Sequence, residues 1–137
     1  MADRLYTLAE ARASLPVVRD LVVGIQEHKR ALEQLRGLTE AIRRAATGDG
    51  QAVHSDARAI EARAEETVQV LRSHVAQLTG MGVQLKDADR GLVDWVAEHG
   101  GRRVLLCWQA GEQTIAWWHE IADGVAGRRR ILPEEWT

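Results

Sequence analysis

Polar residues that could bind a metal ion or a small ligand lie near the ends of the strands predicted for the second half of the chain. They are Lys86, Asp87, Asp94, Glu112, His119 and Arg128. Glu112 and His119 provide a hard and a borderline donor on one predicted hairpin, with Asp94 on the neighbouring strand, and a divalent metal such as Zn or Fe accepts such donors. The sequence therefore predicts a ligand or metal site made of all of these residues except Asp87. The alternative is that each is a solvated turn residue or part of a surface ion pair.

Two histidines in the first half form a second candidate site. His28 and His74 occupy heptad positions that are usually apolar, and antiparallel pairing of two helices about a turn near Gln51 places them opposite each other. Two imidazoles in one layer could bind Zn or Fe, and a two-fold dimer would bring four together. No Asp or Glu lies three or four residues from either histidine on the same stripe. A hydrogen-bonded structural layer would explain the same residues without a metal.

The only cysteine, Cys107, could act as a nucleophile with His119 as its base. If the last two strands pair around Gly111 with Trp108 opposite Ile115, however, these two side chains lie on opposite faces of the sheet. We therefore interpret Cys107 as a small buried apolar residue. The sequence has no Gly-rich phosphate loop, paired CxxC, HExxH or GxSxG motif, and we assign no catalytic residue from it.

Residues 1–80 are rich in Ala, Leu, Glu and Arg and are predicted to be helical. Thr7 and Glu10 have the spacing of a capping box, which predicts a helix that begins at about Leu8. Pro16 predicts that this short helix breaks and that a long helix begins there and extends to about Ala46.

The second long helix is predicted to follow a connection at residues 47–50. Ser55 is its predicted N-cap, and Gly80 is its predicted end. Apolar residues recur at seven-residue spacing in both long helices, so the two helices should form an antiparallel hairpin.

Residues 81–137 contain all five Trp residues and several short β-rich runs separated by Gly-containing turns. These runs predict an antiparallel meander of about four strands, at 83–87, 92–96, 103–109 and 114–119. Both faces of this sheet are apolar. The helical hairpin can cover one face, whereas the other needs a second subunit, a ligand or the C-terminal tail. The fold class is therefore α+β, in a single domain over residues 1–137.

Composition restricts the function further. The 137 residues carry 18 basic and 20 acidic side chains, and a net charge of -2 argues against nucleic-acid binding. The single dense basic run, at residues 128–130, could bind a phosphate or carboxylate or form local ion pairs. The longest hydrophobic run has five residues, Val104 to Trp108, so no membrane span is expected. The absence of a signal sequence and the lone cysteine lead us to expect a cytoplasmic protein.

Short motifs along nearly the whole chain resemble those of one family. They are Tyr6-Thr7, Glu10-Ala11, Leu15-Pro16, Leu85-Lys86-Asp87, Gly91-Leu92-Val93-Asp94, Leu106-Cys107-Trp108, Gly111-Glu112, Trp118-His119 and Gly127-Arg128. In this order and spacing they resemble the bacterial family labelled domain of unknown function 2203. One departure is Trp95-Val96, where family members commonly have Phe-Pro. The resemblance implies no activity, but it implies that the polar residues of these motifs form the candidate site.

Two functions remain open from the sequence. The first is a small cytoplasmic interaction or assembly protein that acts as a homodimer or docks a protein partner, because the heptad stripe and the two-sided sheet offer much apolar surface. The alternative is a metal-binding or small-ligand-binding protein, which could also be an enzyme, with its site on the β half.

Overall fold

The computed structural model describes residues 4–45 and 51–136, with only the backbone described at 51–53. Two helices, α1 (Leu8–Ala45) and α2 (Gln51–Gly80), pack against each other. An antiparallel sheet follows, with its strands in chain order: β1 (Val83–Asp87), β2 (Leu92–His99), β3 (Arg102–Gln109), β4 (Trp117–Glu120) and β5 (Arg129–Arg130). Short 3-10 helices lie at Val125–Gly127 and Pro133–Glu135. The α+β hairpin and meander are confirmed, with five strands instead of about four. The connection predicted at 47–50 lies outside the described residues.

The start of α1 is the predicted capping box. The Thr7 amide donates to Glu10 Oε1 at 2.9 Å, and the Glu10 amide donates to Thr7 Oγ1 at 3.0 Å. The predicted break at Pro16 is wrong, because α1 continues through this residue as one helix of 38 residues. Pro16 is exposed, while Leu15 and Val18 on either side of it are buried. Packing of this apolar stripe on the sheet offsets the helix-breaking cost of the proline, about 3 kcal/mol.

The start of α2 also differs from the prediction. The helix already includes Gln51, so Ser55 lies within it and is not its N-cap. No Gly or Pro precedes Ser55 between 51 and 54, and serine is tolerated in a helix interior, so nothing local stops the helix from extending toward its N-terminus. Its predicted end at Gly80 is confirmed.

Strand β1 has the predicted bounds, whereas β2 extends to His99 and β4 begins at Trp117 instead of 114. Val96, one of the two residues at which the sequence departs from the family that it resembles, lies within β2. Its carbonyl accepts a hydrogen bond from the Tyr6 amide at 2.8 Å, which attaches the N-terminal segment to the sheet.

The register predicted between the third and fourth strands is wrong by one residue. Cys107 pairs with Trp117 and Leu105 with His119. Residues 110–116 do not form a tight hairpin, because Ile115 is buried in the core and Trp108 Nε1 donates to the Glu112 carbonyl at 2.9 Å. A one-residue shift moves every side chain of a strand to the other face. Cys107 and His119 therefore lie on the same face, contrary to the prediction.

The two faces of the sheet are both buried. The face toward the helices carries Val93, Trp95, Leu106 and Trp108, which belong to one core cluster with the apolar residues of α1. The indole N–H of Trp95 is satisfied there, since it donates to Ser14 Oγ at 3.0 Å.

The opposite face carries Leu92, Val96 and Leu105, each 5% exposed or less within a single chain. The segment after β4 lies along this side: the 3-10 helix Val125–Gly127 packs on β4, and the Arg128 guanidinium lies over the Trp117 ring at 4.9 Å. On this side the C-terminal segment therefore covers Trp117, whereas Ile131 and Trp136 further along it pack with the core on the helix-facing side.

Across residues 4–45 and 51–136, neither helix combines the length and the apolar character needed to span a bilayer.

Candidate metal centre

Three potential ligands from three adjacent strands meet on the face away from the helices. Asp94 on β2 is the cross-strand partner of Cys107 on β3, and His119 on β4 lies opposite Leu105, two residues from Cys107 on the same face. One ligand atom from each side chain lies within 4.8 Å of the other two. The exposed fractions of Asp94, Cys107 and His119 are 1%, 0% and 2%. The antiparallel pairing of β2, β3 and β4 therefore creates a buried set of one oxygen, one sulfur and one nitrogen donor.

The hydrogen bonds of His119 fix its tautomer. Nδ1 lies 2.8 Å from the Glu120 carbonyl oxygen, which can only accept, so Nδ1 carries a hydrogen and donates it. Nε2 lies 3.2 Å from Asp94 Oδ2 and faces the cluster. A ligating histidine typically donates its second ring N–H to a carbonyl or carboxylate in this way. The imidazole is thus oriented with Nε2 as the metal-facing atom.

Burial disfavours negative charge in this cluster. It raises the pKa of Asp94, because the carboxylate loses its solvation, although the neighbouring His119 opposes the shift. Burial also raises the pKa of Cys107 to about 12, and the charge of Asp94 adds to this effect. Without a metal, the thiol is protonated at neutral pH.

Cys107 and His119 could form a nucleophile and base, and the prediction that they lie on opposite faces is wrong, since they share a face. The geometry nevertheless provides no activated thiolate, because both nitrogens of His119 are engaged and the pKa of Cys107 is raised.

One atom of the cluster has an unmet hydrogen-bonding capacity. Asp94 Oδ1 is buried and accepts no hydrogen bond of ordinary geometry among the described residues; besides His119, the Asp94 carboxyl interacts with the thiol of Cys107, which is a weak donor. An unsatisfied buried carboxylate oxygen is costly, and coordination of a cation would satisfy it. Carboxylate, thiolate and imidazole together suit a transition metal such as Zn or Fe better than Mg or Ca, which prefer oxygen ligands alone.

Arg128 and Glu112 form an ion pair beside this cluster. Arg128 Nη2 donates to both Glu112 carboxylate oxygens at 2.8 Å, and Glu112 Oε1 also accepts the Gln109 amide at 2.7 Å. Arg128 lies over Trp117, the cross-strand partner of Cys107. The structure thus places Glu112 as the partner of Arg128 rather than beside Asp94 and His119 as a third donor.

Lys86 and Asp87 lie at an irregularity in the pairing of β1 with β2, where the register shifts between Leu85 and Asp87. The Lys86 side chain is exposed, but its charge is close enough to lower the pKa of Asp94. Asp87 accepts the Arg90 amide at 3.1 Å and has the role of an ordinary turn residue.

The structure therefore brings Asp94 and His119 together, with Lys86 near Asp94 and the Arg128–Glu112 ion pair beside Trp117. The residue that sequence reasoning missed is Cys107. Its place in the site depends on the register of β3 and β4, and the one signal for that register, burial of Ile115, is a tertiary contact that no local pattern reveals.

The predicted layer of His28 and His74 is present, with ring centroids 5.6 Å apart. His28 Nδ1 lies 2.7 Å from the Gly24 carbonyl oxygen, and the His74 ring packs against Gly24, where a Cβ atom would lie 2.6 Å from it. This layer supplies two donors. Within the part of the chain that the structure describes, the cluster of Asp94, Cys107 and His119 is the group with three.

Comparison with known proteins gives one match. The sequence model of a family described as "Uncharacterized conserved protein (DUF2203)" matches residues 4–131, which include every residue of the candidate site. No curated protein and no solved structure matches the chain.

Proposed function

Since the chain belongs to the DUF2203 family, whose description names no activity, we propose a function from its own geometry: it binds one divalent transition-metal ion, zinc or ferrous iron, through Asp94, Cys107 and His119. The observation that carries this proposal is the convergence of three different donor types within 4.8 Å of one another in the buried part of the sheet. His119 Nε2, the Cys107 thiolate and an Asp94 carboxylate oxygen would be the ligands. When bound, the ion would supply Lewis acidity or a structural cross-link of three strands.

Charge balance supports a dication in this position. Asp94 and Cys107 both bear a negative charge as ligands, and His119 is neutral, so the donor set has a charge of about -2. A divalent ion makes the buried group neutral, which removes the penalty that raises the pKa values of Asp94 and Cys107. In the metal-free chain the Cys107 thiol is protonated, and burial also favours the neutral form of Asp94. Metal binding would displace the thiol proton and leave the buried group with no net charge.

The interaction hypothesis has less support. It rested on the heptad stripe and on a sheet with two apolar faces, but Leu92, Val96 and Leu105 on the second face are buried within one chain. That this chain forms a homodimer or docks a protein partner stays a prediction. A native mass spectrum tests the homodimer.

The test is metal binding by the tag-free, full-length protein purified without chelator and then incubated with zinc or cobalt(II). We expect one ion per chain in a native mass spectrum. We also expect a sulfur-to-cobalt charge-transfer absorption that is lost in Cys107→Ser. Asp94→Asn and His119→Gln should weaken cobalt binding by at least about tenfold, the effect of losing one ligand or its support.

Matched controls are Asp87→Asn and His28→Gln, which change the same residue types outside the cluster and should retain full cobalt binding. Circular dichroism of each variant shows whether it folds. Wild-type protein that binds no stoichiometric metal would contradict the proposal. The proposal would also be contradicted if Asp94→Asn, Cys107→Ser and His119→Gln all fold and bind cobalt as tightly as the wild type. Loss of metal in His28→Gln alone would instead assign the ion to the helical layer.

A further inference from the structure

The ion pair beside the proposed metal site leaves part of its arginine unsatisfied. Arg128 donates to Glu112 through Nη2, whereas its Nε is buried and has no hydrogen-bond partner among the described residues. An N–H group of a guanidinium is a strong donor, so leaving it buried and unpaired is unfavourable. The arrangement is therefore incomplete without an acceptor.

The position of Arg128 is fixed from two sides. Its guanidinium lies over Trp117, directly across from Cys107, and Glu112 connects it to the amide of Gln109, two residues after Cys107 on β3. These two anchors hold the positive group on the face of the sheet that carries Cys107. The Arg128 and Glu112 side chains are 17% and 26% exposed, so this pair, unlike the three donors, is accessible to solvent.

The three donors leave a coordination position open. Zinc and related ions in proteins take at least four ligands, and a site with three protein ligands accepts water or an exogenous ligand in the fourth position. A dication bound by Asp94, Cys107 and His119 is neutral as a group, and Glu112 neutralises Arg128. Lys86 and the exposed Arg130 then leave positive charge near the site, which favours an anion as the fourth ligand.

We infer that the metal site takes a small oxyanion, of the carboxylate or phosphate class, as its exchangeable ligand, with the buried Nε of Arg128 as a hydrogen-bond donor to it. The inference rests on the proposed metal binding. An oxyanion has several oxygens and can contact the metal ion with one and the guanidinium with another, which a simple halide cannot do. Arg128 thereby becomes the residue that selects the ligand class, while the three donors hold the ion.

The test uses the cobalt(II)-loaded, full-length protein, whose visible absorption reports on the ligands of the ion. Inorganic phosphate and acetate are titrated in separate experiments, with chloride at equal ionic strength as the non-oxyanion control. We expect a saturable spectral change with at least one oxyanion and none with chloride. Comparison of phosphate with acetate identifies which oxyanion class is bound.

Arg128→Gln should raise the dissociation constant of the oxyanion by about tenfold or more, the loss expected for one charge-assisted hydrogen bond. It should still bind one cobalt ion per chain. Arg130→Gln is the matched control, because Arg130 also lies near the Trp117 ring, at 5.4 Å, but is exposed. It should behave as the wild type. Arg128→Lys, which keeps the charge, provides a second variant if Arg128→Gln does not fold.

The outcomes separate the two proposals. Cobalt binding without any response to phosphate or acetate would overturn the oxyanion ligand and leave the metal site standing. Equal weakening by Arg128→Gln and Arg130→Gln would also overturn it, because general surface charge would then explain the effect. Failure of the wild-type protein to bind cobalt would overturn the metal site, and the oxyanion ligand with it.

Discussion

At the scale of single residues, the distinctive feature of this protein is Cys107, a thiol that is fully buried between a carboxyl group and an imidazole. Burial slows the approach of reagents to the sulfur, and the raised pKa, about 12, keeps it protonated at neutral pH. We expect the metal-free folded protein to react with iodoacetamide far more slowly than the same chain unfolded in denaturant. Mass spectrometry at several pH values between 7 and 9 measures the two rates.

The pH dependence of this reaction gives a sharper test. A free thiol becomes increasingly reactive as pH passes through its ordinary pKa, about 8.5. Below the pKa of a thiol the thiolate fraction rises about tenfold per pH unit, so the slow reaction of Cys107 in the folded protein should keep rising without levelling off between pH 7 and 9. The faster reaction of the unfolded chain should begin to level off above about pH 8.5. Equal rates in the folded and unfolded chains would show that the sulfur is accessible and has an ordinary pKa. That result would contradict the burial of Cys107 in the cluster.

At the scale of elements, the irregular connection between β3 and β4 decides which residues form the site. Ile115 is fully buried in that connection and fixes the register that places Cys107 and His119 on one face. Ile115→Ala removes buried methyl groups, and we expect it to lower the free energy of unfolding by about 2–5 kcal/mol. Urea denaturation measures this change.

Ile121→Ala is the matched control, since Ile121 is 58% exposed and its truncation should change the free energy of unfolding by no more than about 0.5 kcal/mol. Similar effects of the two substitutions would mean that Ile115 does not anchor the connection. The site should also respond: cobalt binding should weaken in Ile115→Ala and stay unchanged in Ile121→Ala.

The same elements show what the sequence could predict. The helical hairpin and the bounds of β1 depend on local signals, namely the capping box at Thr7 and Glu10, the heptad spacing and the glycines of the turns. The strand register depends on which residue of 110–116 enters the core. Tertiary packing decides this, and local sequence patterns do not reveal it. The continuity of α1 through Pro16 is likewise set by packing on the sheet and not by the local propensity of proline. Local patterns thus pointed to Asp94 and His119 as candidate site residues, whereas the place of Cys107 beside them depends on the strand register.

At the scale of the whole molecule, burial is distributed unevenly between the two ends of the helical hairpin. Most buried residues of α1 lie between Ala11 and Ile25, where the helix contacts the sheet, and only Leu32 and Thr39 are buried beyond them. A helix of 38 residues is about 57 Å long, so its C-terminal part extends well past the layer that the sheet covers. The two ends should therefore differ in local stability.

Hydrogen exchange measured by mass spectrometry on the intact protein tests this difference and also locates the metal. Amides in the sheet and at 11–25 should exchange more slowly than those at 33–45 and 54–67, because opening of the distal helices exposes less apolar surface. Zinc should slow exchange further in β2, β3 and β4, since the proposed ligands Asp94, Cys107 and His119 cross-link these strands, and should leave the distal helices unchanged. Protection by zinc around His28 and His74 instead would place the ion in the helical layer. The experiment thus compares the two candidate sites within one molecule, without any substitution that could disturb the fold.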